Sequence, residues 1–307
     1  MGEEKVLKIL VLMSAYNGEA YIRQQIDSVL AQDIDAQLQL LVRDDGSTDS
    51  TRAILEEYQN SGKLTWYTGE NLGPARSFWH LIRNAPEADY YALCDQDDDW
   101  LPHKLSRAVM QMQSRKAMLY CSAFIATDAQ LNPIAHHHSA LNQYTDYAHS
   151  LIYSTAPGCT FVFNQEARNR AKAYDMDVHP AIIHDWLLHK IVTITGGRMI
   201  FDAEPGIRYR QHGHNAIGAQ KNGLQGFALR VKRFLGGDSR QVRSDCAKAL
   251  LAVYGDQVTY EVKDALDLVA NYTESGKKRR ALLRDPRFRT GTVNDLFFRV
   301  LVWLKTL

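Results

Sequence analysis

Between Val6 and Arg115 the chain repeats one pattern four times: a short apolar run, a polar cluster, then a helical segment. Val6 to Met13 is a near-continuous apolar run, as in a strand buried on both faces. It ends in Ser14-Ala15-Tyr16-Asn17-Gly18-Glu19. A helical pattern follows through Leu30, with Tyr21, Ile22, Ile26, Val29 and Leu30 on one face. Leu38 to Val42 ends in Arg43-Asp44-Asp45-Gly46-Ser47-Thr48-Asp49, and Ser50 to Tyr58 reads as a helix. Leu64 to Tyr67 is a third strand, followed by Glu70-Asn71-Leu72-Gly73-Pro74 and a helix through Ile82. Tyr90 to Cys94 is the fourth, and Pro102 suits the first turn of a helix running to about Arg115. Four such units predict an α/β fold with a mostly parallel sheet and right-handed crossovers. Ligands in such sheets sit at the carboxyl ends of the strands, where every one of these polar clusters falls.

The fourth cluster is the most acidic, with Asp95, Asp97, Asp98 and Asp99 close together. Alternation along an extended backbone puts Asp95 and Asp97 on one side, where they can converge on a cation. Crowded carboxylates repel and raise each other's pKa unless a divalent metal, hydrogen bonds or solvent compensates. Oxygen ligands favour Mg²⁺ or Mn²⁺, ions that commonly bridge to substrate phosphates. The alternative is an acidic loop that caps the following helix, a role open to Asp98 and Asp99. A Gly-x-Gly-x-x-Gly fingerprint after the first strand is missing, as is a Gly-x-x-x-x-Gly-Lys loop. Both absences weigh against an NAD-dependent enzyme and an ATPase.

Ala117 to Ile125 and Gly158 to Phe163 read as aromatic-rich strands joined by a long polar segment. Three adjacent histidines there, His136-His137-His138, cannot all face one metal from an extended backbone and read as a loop. Gln165 to Tyr174 is helical. His184-Asp185-Trp186 opens a helix running to about Ile194, and an Asp at such a place often only compensates the helix dipole. A strand over Arg198 to Asp202 leads to a dense set of donors, Arg208-Tyr209-Arg210-Gln211-His212-Gly213-His214-Asn215.

The ordered motifs Ser14-Ala15-Tyr16-Asn17-Gly18, Asp44 to Asp49, Asn71-Leu72-Gly73, Asp95-Gln96-Asp97-Asp98 and His184-Asp185-Trp186 resemble those of family-2 glycosyltransferases of the GT-A fold. Tyr209-Arg210-Gln211-His212-Gly213 and the form Asp-Gln-Asp-Asp are similar to bacterial rhamnosyltransferases of cell-surface polysaccharide synthesis. The resemblance implies a Rossmann-like GT-A domain over residues 1–219, with a helical basic extension over residues 220–307. It implies inverting, metal-dependent transfer of a sugar, L-rhamnose from dTDP-rhamnose, to a lipid-linked polysaccharide acceptor. A UDP-hexose or UDP-N-acetylhexosamine donor is the alternative within the class, and a non-catalytic nucleotide-binding scaffold the alternative outside it.

The same resemblance assigns roles. Tyr16 and Asn17 would sit near base and ribose, and Asn71 and Gly73 would line the nucleotide pocket. Asp44 would accept the N3–H of uracil or thymine, a donor that a carboxylate suits. Asp45 and the Gly-Ser turn would serve there or cap the next helix. Asp95 would reach ribose or metal, and Asp97 would ligate Mg²⁺ or Mn²⁺ on the diphosphate. Arg210 and His212 would contact phosphate oxygens, and His212 also the metal. Asp185 would be the base that deprotonates the acceptor hydroxyl. His184 stands where many relatives have a second acid, to orient Asp185 or touch the diphosphate. Trp186 would offer an apolar platform to a sugar face, or fill the core.

Net charge of +1 hides an asymmetry, since residues 220–307 carry 17 Lys/Arg against 9 Asp/Glu. Phe227 to Leu235, Ala247 to Tyr254, Tyr260 to Tyr272 and Leu296 to Leu307 read as helical or apolar segments, with Lys277-Lys278-Arg279-Arg280 among them. Such a region is suited to an anionic membrane surface, or to packing on the catalytic domain or forming a homo-oligomer. No nucleic-acid module accompanies the basic residues, so nucleic acid is not an expected partner. Four dispersed cysteines, a charged N-terminus and no apolar run of about 18 residues predict a reduced cytoplasmic protein, peripheral on the inner face of the membrane.

Overall fold

The first four strands, β1 (Lys8–Ala15), β2 (Gln37–Asp44), β3 (Thr65–Thr68) and β4 (Tyr90–Asp95), are parallel and lie in the order β3-β2-β1-β4. The computed structural model describes residues 6–137, 144–153, 156–179, 183–211, 242–291 and 293–307. Crossovers are made by α1 (Ile22–Leu30), α2 (Thr51–Asn60) and α3 (Gly73–Asn84). β1 alternates between two cores. Ile9, Val11 and Met13 pack with Ile26, Val29 and Leu55 on one face, while Leu10 and Leu12 pack with Phe78, Trp79 and Ile82 on the other. That double burial explains its unbroken apolar sequence. Register levels the strand ends, with Ala15 opposite Asp44, Asp44 opposite Thr68, and Ser14 opposite Asp95.

Beyond β4 come β5 (Asp99–Trp100), α4 (Lys104–Gln111), β6 (Met118–Thr127), β7 (Pro133–His137) and α5 (Tyr147–Ile152). A 3-10 turn (Gly158–Thr160), β8 (Val162–Asn164), α6 (Gln165–Ala171), α7 (His184–Ile194) and β9 (Arg198–Arg210) follow. The sheet continues β4-β8-β6-β9-β5, with β8 antiparallel to both neighbours, β6 parallel to β9, and β7 against β6. The α/β sheet is therefore present, and it is mixed: its first four strands are parallel, while four of its eight pairings are antiparallel. Several local expectations change. β9 does not stop at Asp202 but runs to Arg210, because pairing with β6 and β5 satisfies its backbone despite the polar sequence. The segment from Gly158 begins as a 3-10 turn, and the helix after Pro102 ends at Gln111. The backbone of His136 and His137 belongs to β7 rather than a loop, while His138 lies outside the described residues.

The C-terminal region contributes α8 (Val242–Tyr254), α9 (Tyr260–Asn271), α10 (Gly276–Arg284), a 3-10 turn (Pro286–Phe288) and α11 (Val293–Trp303). Leu250, Leu266, Val269, Leu282, Phe288 and Leu301 belong to the same core cluster as Leu10 and Trp79. Tyr254 Oη donates to the Arg170 carbonyl at 2.8 Å, and Arg243 Nε to the Ile152 carbonyl at 2.9 Å. The expected boundary at residue 219 and the segment Phe227 to Leu235 lie outside the described residues. Among the described residues, no helix is long and apolar enough to cross a membrane.

Every residue of α7 is buried, including His189 and Lys190. Burial and the neighbouring Lys190 push the His189 imidazole down to about 3, and burial also lowers that of His184. A histidine held neutral in the fold takes up a proton more readily when unfolded. Its contribution is therefore complete above the unfolded value of about 6.5 and is lost as pH falls toward 3. Urea midpoints should fall over that window, and His189→Gln should flatten the slope; equal slopes for the two proteins would contradict the assignment.

Candidate active site

The ends of β1, β2 and α3 are tied by a buried polar network. Arg43 and Asp45 form a buried ion pair. Arg43 also donates to Ser77 Oγ at 3.0 Å and to the Glu70 carbonyl at 2.9 Å, and Ser14 and Ser77 share a hydrogen bond of 2.5 Å. Asp45 accepts the N–H groups of Leu72 and Gly73, each at 2.9 Å. Asp45 thus caps α3 across the sheet, not the next helix α2. Gly73 has φ of +75°, a conformation that favours glycine, and its N–H also reaches Asn71 Oδ1 at 3.1 Å.

Asp44 is fully buried and accepts Arg52 Nε at 2.8 Å, Thr68 Oγ1 at 2.8 Å and the Ser47 N–H at 3.2 Å. Burial pushes its carboxyl up, but the bonds from Ser47, Thr68 and Arg52 outweigh it and hold the group below the usual range. Tyr16, Asn17 and Asn71 are exposed at the same end of the sheet. Asn17 has φ of +47°, and its side chain accepts the Thr48 N–H at 2.8 Å. Gln96, whose role the sequence did not reveal, pairs with the Tyr16 backbone as a strand would. Its Oε1 accepts the Tyr16 N–H at 2.9 Å and its Nε2 donates to the Tyr16 carbonyl at 2.8 Å. The acidic loop and the first strand's loop are thereby clamped together.

In the acidic loop β4 ends at Asp95 and the chain bends at residues 96 and 97, which brings Asp98 in as well. Donor atoms of Asp95, Asp98 and Cys159 all lie within 4.8 Å of one another, and the charge of Asp97 acts on both Asp95 and Asp98. Asp98 Oδ1 accepts the Arg210 N–H at 3.0 Å, while its buried Oδ2 has no hydrogen-bond partner. Burial, then the charges of Asp97 and Asp185, raise Asp95 to about 7. Burial and the nearby acids also push the Cys159 thiol well up, so it remains protonated. Two crowded carboxylates with an orphaned oxygen fit a hard divalent cation, which would relieve both the repulsion and the unmet acceptor. Asp99 is bound to Arg208 at 2.6 Å and lies outside the cluster. Lys104, also missed in the sequence, is fully buried behind the loop. Its ammonium donates to the Cys159 carbonyl at 2.5 Å and lies 3.6 Å from the Trp100 ring centroid.

Arg210, expected at the phosphates, braces the acidic loop. It is buried and binds the Asp97 carbonyl at 2.7 Å, Gln24 Oε1 at 2.8 Å and the Ala129 carbonyl. His212 lies outside the described residues.

Asp185 sits at the start of α7 and binds the N–H of Gly158, the residue before Cys159 of the acidic cluster, which brings the two halves of the site together. Its carboxylate is fixed by the N–H of Gly158 at 3.0 Å and of Trp186 at 2.6 Å. His184 stacks on Phe78 with centroids 4.3 Å apart, and its buried Nδ1 has no hydrogen-bond partner. Of the two roles open to Trp186, its burial favours filling the core. It is buried, with its indole N–H on the Ser150 carbonyl at 2.9 Å and the cationic groups of Lys190 and Arg243 at 3.9 and 4.8 Å from its ring centroid. A Cβ on Gly158 would lie 2.8 Å from His184 Nε2 and 2.9 Å from Asp185 Cβ. Gly158→Ala should therefore displace Asp185 and lower turnover on the order of 100-fold, with little change in donor binding. Unchanged kcat would show that the Asp185 position is not limiting.

A profile for the family described as Glycosyl transferase family 2 matches residues 10–172. The chain is 29% identical over 227 residues to the dTDP-rhamnosyl transferase RfbG of Shigella flexneri, spanning 67% of this chain and 74% of that protein. It is 30% identical over 150 residues to the putative teichuronic acid biosynthesis glycosyltransferase TuaG of Bacillus subtilis, spanning 48% and 56%. The solved structure of S. aureus TarS 1-349 superposes with a TM-score of 0.57 at 16% identity, covering 97% of this chain and 90% of that one. That likeness shows the shared GT-A fold, and the profile match shows that the chain belongs to glycosyl transferase family 2.

Proposed function

We propose that this chain catalyses an inverting, metal-dependent transfer of L-rhamnose from dTDP-rhamnose to a lipid-linked saccharide of a cell-surface polysaccharide. The observation that carries the reading is the clustering of Asp95 and Asp98 at the carboxyl end of the sheet, with Asp185 bound to Gly158 beside the Cys159 of that cluster. Similarity to a dTDP-rhamnosyl transferase supports the choice of donor. Tyr16, Asn17, Asn71 and Gly73 receive the nucleotide. Asp44 takes the thymine N3–H in place of Arg52, whose half-exposed side chain can swing out. Bound by Asp95 and Asp98, with Asp97 beside them, Mg²⁺ or Mn²⁺ would supply Lewis-acid neutralisation of the diphosphate leaving group.

Asp185, held by two backbone N–H groups, takes the proton of the acceptor hydroxyl. The acceptor oxygen bonds to the anomeric carbon as the bond to the diphosphate oxygen breaks on the opposite face. The nucleoside diphosphate leaves with that electron pair, and one displacement inverts the centre. The basic C-terminal region brings the protein to the cytoplasmic face of an anionic membrane, where a lipid-linked acceptor resides.

The test is incubation with radiolabelled dTDP-rhamnose, Mn²⁺ and a bacterial lipid extract. Label should move into the organic phase, with the anomeric configuration inverted by NMR. Transfer from a UDP-sugar instead would replace the donor, and retention would exclude the single displacement.

A further inference from the structure

The face formed by α10 and α11 carries a feature that glycosyl transfer does not require. A cavity of about 500 Å³ is lined by Leu283, Arg284, Arg289, Arg299, Val300 and Trp303. Trp303 is 74% exposed and Leu296 56%, unusual values for large apolar side chains on one short helix. Arg284, Arg289 and Arg299 form no ion pair with any described residue, although Arg289 donates to the Arg284 carbonyl at 3.2 Å. The acids nearby are already engaged. Asp295 accepts the Thr290 N–H and hydroxyl at 2.6 and 2.7 Å and the Gly291 N–H at 3.0 Å, with Arg299 close to it. Asp264 and Asp285 are each held by Arg287 at 2.6 Å.

We infer that this groove docks on a membrane surface containing anionic phospholipid. The three guanidinium groups take lipid phosphates, and Leu296, Val300, Trp303 and Leu304 enter the apolar layer beneath the headgroups. Charge decides the occupant. Residues 276–307 carry nine Lys/Arg and two Asp/Glu, so a second copy of the chain would oppose like charges across the contact. A sheet of phosphates complements the same rim, and an indole suits the boundary between apolar and wet layers. The inference rests on the membrane location proposed above and names the surface that makes it.

Co-sedimentation of the full chain with phosphatidylglycerol–phosphatidylcholine vesicles tests it. Binding should weaken with salt and be absent for pure phosphatidylcholine. Changing Arg284, Arg289 and Arg299 together to Ser should lower partitioning on the order of 100-fold. Trp303→Ser, at an exposed position that cannot disturb the core, should lower it roughly tenfold. Both variants should keep the thermal shift given by nucleotide sugar, which separates loss of membrane binding from loss of the donor site. Wild-type affinity in both variants would overturn the inference, as would equal binding to neutral vesicles. A wild-type dimer that Trp303→Ser converts to monomer, with vesicle binding retained, would assign the face to self-association instead.

Discussion

Asp185→Asn is expected to lower kcat by roughly a thousandfold while nucleotide-sugar binding is retained. The amide keeps the shape of the carboxylate and can still accept one backbone N–H, so α7 and the Gly158 turn should stay in place. What it cannot do is take the proton of an acceptor hydroxyl. The variant therefore separates the two halves of the site: the donor half continues to bind, and the acceptor half stops. Parallel measurement of kcat and of donor affinity decides the matter. Near-normal turnover would remove Asp185 from the role, and simultaneous loss of binding and turnover would mean that the change had collapsed the pocket shared with Asp95.

Asp98→Asn is expected to weaken metal-dependent binding of dTDP by at least about 100-fold, and Asp97→Asn to have the smaller effect. Groups that only orient a metal ligand typically contribute 10–100-fold to metal affinity, about the least that a direct ligand should contribute. The ranking follows from the fold. The oxygen of Asp98 that lacks a partner is buried beside Asp95, whereas Asp97 is partly exposed on the bend. Titration of Mn²⁺ with dTDP in the three proteins checks it. A larger loss in Asp97→Asn would return the metal to the residue that strand alternation favours.

That ranking also shows where sequence reasoning ran out. The sheet was legible because strands buried on both faces leave unbroken apolar runs, as in β1, and because each run ends in polar residues at one end of the sheet. Convergence beyond the end of β4 was only partly legible, since a bend of two residues adds Asp98 to the carboxylates that alternation brings together. Arg210 and Trp186 look functional by residue type, yet both are buried and committed to internal partners through contacts with Gln24, Ala129, Ser150 and Arg243 that lie far away in sequence. Gly158 carries no local signal of its duty, which comes from α7 folding against it. Gln96 stood in a quoted motif, but only the structure shows its amide mimicking a strand partner of Tyr16. The basic C-terminal region left packing and membrane binding both open from composition alone. Its helices share the core cluster of the catalytic body while leaving Trp303, Arg284 and Arg299 exposed, so packing and an exposed basic, aromatic face coexist on the same helices.

A thermal-shift panel of nucleotide sugars with Mn²⁺ tests the central claim most directly. dTDP-rhamnose at about 100 times its Kd should raise Tm by roughly 5 °C. The shift should persist in Asp185→Asn and disappear in Asp98→Asn. No shift with any nucleotide sugar, or an equal shift in Asp98→Asn, would contradict a metal-assisted diphosphate site at the end of β4.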